Sequence, residues 1–245
     1  MMIHDTVYRR VYLFLVVGVG LFAATGWGDE VEQPRHHAAV AASYAAELPT
    51  PDTPLHGLVW VSFDTETTGL SPRHDRIIEL GAARYVGLRK VAEGNWLLNP
   101  QHPISYHAEN VHGITQADLE GAPTFEEIYP EFAALTEGAI LLAHNARFDV
   151  QFMAAEIERA GYPMPPHVTV DTLQLFRRTF HGLASYRLEY VANVMGVSGG
   201  EFHRALDDAF YVADVYRIIL RQLGPYATLR EIYENAGNLV PFDSP

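Results

Sequence analysis

From residue 58 onward, short apolar runs alternate with longer segments of helical spacing. "LVWVSFD" (58–64) is apolar at both parities and ends on an acid, the pattern of a buried strand. "RIIELGAARYV" (76–86) and "VAEGNWLLN" (91–99) predict two more strands, joined by a turn near Gly87–Lys90. Three strands with tight connections predict an antiparallel meander. A helix follows over 124–138, with Thr124 as N-cap, Glu127 three residues on and Gly138 as stop. "AILLAH" (139–144) is a short buried strand, after which Asn145 caps a helix running to Gly161. "VTVD" (168–171) is another strand and 185–196 a helix capped by Ser185. The last long helix runs from about Arg204 to Leu223, with Ala205, Ala209, Val212, Ala213, Tyr216, Ile219 and Leu220 on one face. The order βββαβαβαα predicts an α/β domain, a mixed sheet with helices on its faces. The tail beyond it offers one short helix.

The pattern before residue 58 is different. Residues 11–27 carry no charge, with Arg9 and Arg10 before them and Asp29, Glu30 and Glu32 after. Such a run sits at the short limit for a membrane span, roughly 17–25 residues, and also fits a secretory signal. The flanking charges would hold the N-terminus in the cytoplasm and send the rest across. A start codon placed upstream of the true one explains the run equally well. Residues 28–57 read as a linker with four prolines and an Ala-rich patch at 38–46 that forms a short helix. The expected division is therefore 1–27 signal, anchor or start-site artefact; 28–57 linker; 58–223 the α/β domain; 224–245 tail.

Composition narrows the chemistry. Apolar residues make up 48% of the chain, enough for a packed core. Cysteine is absent, which excludes disulfides, thiolate metal sites and cysteine nucleophiles. Any metal must sit on oxygen or histidine ligands. The net charge of −13 argues against broad duplex binding through a basic footprint. Over 58–222 there are 13 Lys and Arg against 21 Asp and Glu; two divalent cations would bring that −8 to −4, so the charge does not exclude a metal-dependent nuclease.

Three stretches carry candidate chemistry. In "DTETTG", Asp64 and Glu66 flank one residue and point to the same side of an extended chain. A divalent cation between them turns repulsion into attraction, and Mg²⁺ or Mn²⁺ suits an all-oxygen site; a solvated turn is the plainer reading. Thr67 and Thr68 add donors able to seat a substrate hydroxyl or phosphate. In "LLAHNARFD", Asp149 lies on the first turn of a helix that starts where a buried strand ends, and ligand sites in open α/β sheets favour that edge. Ordinary helix N-terminal chemistry explains Asp149 as well, but not His144. Phe148 and Phe152 read as core. In "EFHRALDDA", His203 and Asp208 would stand about 140° apart on a continuous helix. They converge only if the helix begins between them, with His203 on the preceding loop as a general base. Asp208 is preferred to Asp207 because it stands one turn before the apolar Val212.

Taken together, these stretches resemble the three motifs of the DEDDh 3′–5′ exonucleases, the DnaQ-like proofreading group. "FDTETTG" is similar to the first, "HNARFD" to the second and "HRALDDA" to the third, with histidine at the variable position. The segment around His112-Gly113-Ile114-Thr115 also resembles that family, and the likeness covers about 58–222. The resemblance implies a ribonuclease H-like fold with a five-stranded mixed sheet flanked by helices. It implies two divalent cations, Mg²⁺ or Mn²⁺, held by Asp64, Glu66, Asp149 and Asp208, with His203 as base. Thr67 and Thr68 would seat the terminal nucleotide, with His112 and Asn145 as further substrate contacts. The implied substrate is a single-stranded or frayed 3′ end of DNA, the implied partner a DNA polymerase in proofreading or repair, and the expected location the cytoplasm. Membrane contact is expected only if 11–27 is retained. An exoribonuclease of the oligoribonuclease or ribonuclease T type uses the same acids and histidine, and a non-catalytic nucleic-acid-binding module on the same fold is a third reading.

Overall fold

The computed structural model describes residues 37–197, 200–237 and 239–242. The uncharged run at 11–27 lies outside them. Among the described residues no helix is long and apolar enough to cross a membrane.

Residues 37–43 are helical (α1). The strands are β1 (Val59–Thr67), β2 (Ile77–Val86), β3 (Arg89–Leu97), β4 (Ile140–Ala143), β5 (Val168–Asp171) and β6 (Val240–Pro241). The other helices are α2 (Tyr106–His112), α3 (Phe125–Thr136), α4 (Arg147–Arg159), α5 (Thr172–Thr179), α6 (Leu188–Val194), α7 (Ala205–Leu223) and α8 (Leu229–Ala236). The sheet order is β3-β2-β1-β4-β5-β6. β1–β2 and β2–β3 are antiparallel, as the meander predicts; β1–β4 and β4–β5 are parallel.

The sheet has six strands where the sequence predicts five. The sixth comes from the tail, where Val240 and Pro241 pair with Thr169 and Val168. Two residues are too few to show a period, and Pro241 suits only a sheet edge. Two helices also escaped the pattern. α2 is a two-turn piece capped by the Ser105 side chain, and α5 starts on Asp171, whose carboxylate accepts from Leu173 N–H (3.0 Å). α6 begins at Leu188, later than Ser185, whose hydroxyl accepts from Arg187 N–H (3.2 Å).

The two faces of β1 divide the core. Val61 and Phe63 pack with Leu80, Ala82 and Leu141 against α3 and α4. Trp60 packs with Ala83, Tyr85 and Leu142 against α5, α7 and α8. Strand alternation then places Asp64 and Glu66 on the α7 face and Thr65 on the α4 face. α3 keeps the predicted capping box, with Glu127 accepting from the Thr124 amide and hydroxyl. It also tolerates Pro130, which has no N–H to give the carbonyl of Glu126; the Tyr162 hydroxyl donates to that carbonyl instead (3.0 Å).

The flanking segments close on one another. Leu55 N–H donates to Ala227 O (2.9 Å), Leu229 N–H to Thr53 O (2.9 Å) and Arg230 N–H to Pro51 O (2.8 Å). α8 buries Leu229, Ile232 and Ala236 in the α7-side core. Leu229→Ala is therefore expected to cost about 2–5 kcal/mol in urea unfolding, as for other fully buried leucines; a change near zero would show that α8 does not share the cooperative fold.

Candidate active site

The site lies where β1 ends. Thr68 N–H donates to Arg76 O (2.8 Å) and Arg76 N–H to the Thr68 hydroxyl (3.0 Å), so the chain folds back between β1 and β2. Asp75 fills this turn, accepting from Ser71 N–H (2.8 Å) and the Thr68 hydroxyl (3.3 Å). A Cβ on Gly69 would lie 2.5 Å from the Asp75 carboxylate, so a larger residue there would push that carboxylate out of the turn. Thr68 is fully buried and Thr67 nearly so, and the Thr67 hydroxyl donates to Gly69 O (2.6 Å). Both hydroxyls are thus engaged inside the turn and frame it.

At this edge the charges of Asp149 on α4, Asp208 on α7 and Glu66 all reach Asp64. Ligand atoms of Glu66, His203 and Asp208 all lie within 4.8 Å of one another. Asp149 arrives from the other side of the sheet, held by Thr65. The Thr65 amide (3.1 Å) and hydroxyl (2.8 Å) both donate to Asp149 Oδ1. The residue between the two acids thus aligns a third, a role that strand parity makes readable only once α4 is placed.

α7 does begin after His203. His203 has a left-handed backbone (φ 65°), which breaks the helix and turns its N–H onto Asp208 Oδ2 (3.1 Å). Its exposed ring also reaches Glu189 Oε1 on α6 (Nε2, 3.2 Å). Asp207 faces elsewhere and accepts from Glu201 N–H (3.0 Å).

Asn145 does not cap α4. It too is left-handed (φ 64°), Ala146 precedes the first helical residue, and the exposed Asn145 gives its N–H to Asp171 Oδ1 (3.1 Å). Asparagine tolerates that conformation better than most side chains, so its place in the sequence marks a turn. His144 is pinned between Thr172 Oγ1 (3.2 Å) and Tyr186 O (2.9 Å), and burial lowers its pKa. His112 is buried, with Nδ1 accepting from Ile114 N–H (3.0 Å). Its Nε2 meets no partner at hydrogen-bonding geometry, although the Thr67 backbone is close enough to favour a proton there. Burial still lowers its pKa. Phe148 and Phe152 pack in the α4-side core, as expected. Leu70 and Tyr106, which the sequence pattern did not single out, are exposed beside the turn at 77% and 84%; Ser105 N–H, next to Tyr106, donates to Thr68 O (3.0 Å).

The four acids strain one another. Burial and then the charges of Asp149, Asp208 and Glu66 push the Asp64 carboxyl well above its ordinary value. Burial and then Asp208 and Glu79 raise Glu66 to about 8. Burial raises Asp149 to about 7 against the pull of Thr65, and Asp208 to about 6 against the His203 amide. Asp208 Oδ1 is buried with no hydrogen-bond partner. An orphaned carboxylate oxygen among mutually repelling acids, all with hard oxygen donors, fits a divalent cation.

The sheet order and flanking helices define a ribonuclease H-like α/β fold with an acidic cluster at a strand end. A sequence model described as Exonuclease, of the RNase T type, matches residues 61–216, and the chain belongs to that exonuclease family. DNA polymerase III PolC-type of Caldanaerobacter subterraneus subsp. tengcongensis is 37% identical over 164 residues, covering 67% of this chain but only 12% of that protein. DNA polymerase III subunit epsilon of Treponema pallidum is 34% identical over 165 residues, covering 66% of this chain and 77% of its own length. Among solved structures, "Exonuclease X in complex with 5′ overhanging duplex DNA" is 27% identical with a TM-score of 0.57, covering 73% of this chain and 99% of that one.

The raised carboxyls fix the sign of two pH effects. Their folded-state pKa values exceed those of the unfolded chain, so without metal their contribution to stability is lost as pH rises from the ordinary carboxylate range to about 8. A cation must displace the same protons, so Mn²⁺ affinity is expected to rise between pH 6 and pH 8, by about tenfold per unit for each proton released. Glu66→Gln removes part of the repulsion. At pH 8 in chelator it is expected to melt a few degrees above the unaltered protein, roughly 2–4 °C per kcal/mol, and to lose most of the metal-induced gain. Calorimetry and differential scanning across this range check both.

Proposed function

We propose that this chain is a metal-dependent 3′–5′ exonuclease that releases nucleoside monophosphates from single-stranded or frayed DNA 3′ ends, in proofreading or repair. The observation that carries the reading is the meeting of Glu66, His203 and Asp208 within 4.8 Å at the end of β1. In this reading Asp64, Glu66, Asp149 and Asp208 hold two divalent cations, Mg²⁺ or Mn²⁺. Those cations, when bound, supply the positive charge that balances the carboxylates and the scissile phosphate.

The chain's own groups do the rest. His203, exposed at the mouth, takes the proton from the attacking water. Thr65 keeps Asp149 in register with Asp64. The turn framed by Thr67 and Thr68 receives the terminal sugar, backed by His112, while Asn145 lies on the rim. Leu70 and Tyr106 offer apolar faces to unstacked bases, a contact that tolerates any base. The DNA preference rests on the named roles of the relatives, both DNA polymerase III proteins, and a DNA polymerase and the cytoplasm belong to the same reading. We assign the activity to a domain over 58–223.

End-labelled DNA and RNA strands of one sequence test the reading. Stepwise shortening of DNA from the 3′ end, faster than of RNA and stopped by chelator, is expected; faster RNA shortening would make the chain an exoribonuclease. Asp64→Asn is expected to lower kcat by about 10³-fold or more with the fold intact, in line with electrostatic groups at other active sites. His203→Ala is expected to lower turnover by about 10²–10⁴-fold while changing Mn²⁺ affinity much less. Retention of most activity in Asp64→Asn would defeat the metal assignment.

A further inference from the structure

Glu79 is fully buried on β2 and stands outside the four acids. It is the cross-strand neighbour of Glu66 and, by strand alternation, shares the α7 face. Its Oε2 accepts from Ala205 N–H (3.1 Å) and Arg204 Nε (3.2 Å); its Oε1 accepts from Arg204 Nη2 (3.0 Å) and Asn95 Nδ2 (3.3 Å). One carboxylate thus receives the first amide of α7, the guanidinium just before it and a side chain from β3. Two residues further along β2, a Cβ on Gly81 would lie 2.1 Å from Leu206 N, so the first turn of α7 rests directly on the strand.

These contacts bracket the residues that meet Glu66. His203 immediately precedes Arg204, and Asp208 follows one turn into the helix, joined to His203 by the 3.1 Å bond. Glu79 also adds to the repulsion felt by Glu66 and Asp64. Packing alone does not require that cost, since an apolar side chain fills such a position at no electrostatic penalty. What a carboxylate offers is two oxygens that receive a backbone amide and an arginine fork together.

We propose that Glu79 is a positioning residue: it sets where α7 starts on β2, and so where His203 and Asp208 stand relative to Glu66 on β1. The inference rests on the metal-nuclease reading of the site. Its effect passes through His203 and Asp208; Glu79 itself touches neither water nor substrate.

The test compares Glu79→Gln, Asn95→Ala and Ile232→Ala with the unaltered full chain. Ile232 lies in α8, within the α7-side core, and reports the effect of lost stability alone. Glu79→Gln is expected to lower kcat by about tenfold with KM held within about twofold, and to weaken Mn²⁺ binding, read by electron paramagnetic resonance without substrate, by about tenfold. Asn95→Ala, exposed on β3 and safe for folding, is expected to move both in the same direction by about twofold to threefold. Ile232→Ala is expected to lower the melting temperature and leave kcat and Mn²⁺ affinity unchanged. Glu79→Gln with unchanged kcat and Mn²⁺ affinity, or with losses no larger than in Ile232→Ala at matched melting loss, would overturn the inference. If Glu79→Gln does not fold, Asn95→Ala decides: no change in either readout overturns it. An unaltered protein that binds Mn²⁺ but cleaves neither DNA nor RNA would defeat the nuclease reading instead, and the Mn²⁺ comparison would still judge Glu79.

Discussion

Carboxylates crowded together at the end of a strand and partly withdrawn from water repel one another, and that repulsion shapes this end of the molecule. Burial alone raises the pKa of each of the four acids, and their mutual charge raises Asp64 and Glu66 further. The surrounding fold holds them together against this force. Thr65 tethers Asp149 from the opposite face of the sheet, and the His203 amide tethers Asp208. Those donors engage Asp149 Oδ1 and Asp208 Oδ2, and Asp208 Oδ1 is left bare. Such an arrangement is poor for stability and well suited to a ligand that carries concentrated positive charge.

Much of the architecture was legible because its signals are local. The β1–β2–β3 meander, the capping box at Thr124 and the apolar stripe of α7 each come from spacings within one element. Even the start of α7 could be inferred, because His203 and Asp208 cannot share a face of one helix and need a break between them. What stayed hidden depends on pairs far apart in sequence. Glu79 reads in isolation as an acid inside a strand; only the arrival of Arg204 and Ala205, more than a hundred residues later, gives it partners. Thr65 is likewise silent until α4 is folded against it.

Asn145 shows a different limit. Its position before a helix suggested a cap, yet the same residue type also favours left-handed turns, and the structure uses the second property. β6 was invisible because two residues carry no period. The surfaces of Leu70 and Tyr106 were missed for a third reason: an apolar residue next to a turn says nothing about exposure until the turn is built.

The clasp between residues 51–55 and 227–230 lies beyond the start of β1 and the end of α7, whereas the acids sit at the finish of β1 and the first turn of α7. With α7 alone spanning roughly 28 Å, the clasp and the acids at the first turn of α7 stand at opposite ends of that helix. The described chain continues past the clasp on both sides, with Val40 of α1 in the α4-side core and β6 paired with β5, so a pull on either flank is taken up by α1, β6 and the clasp before it reaches the carboxylates. The fold thus behaves as a cartridge held at its base. Loads applied at that base are thereby kept away from the acidic cluster.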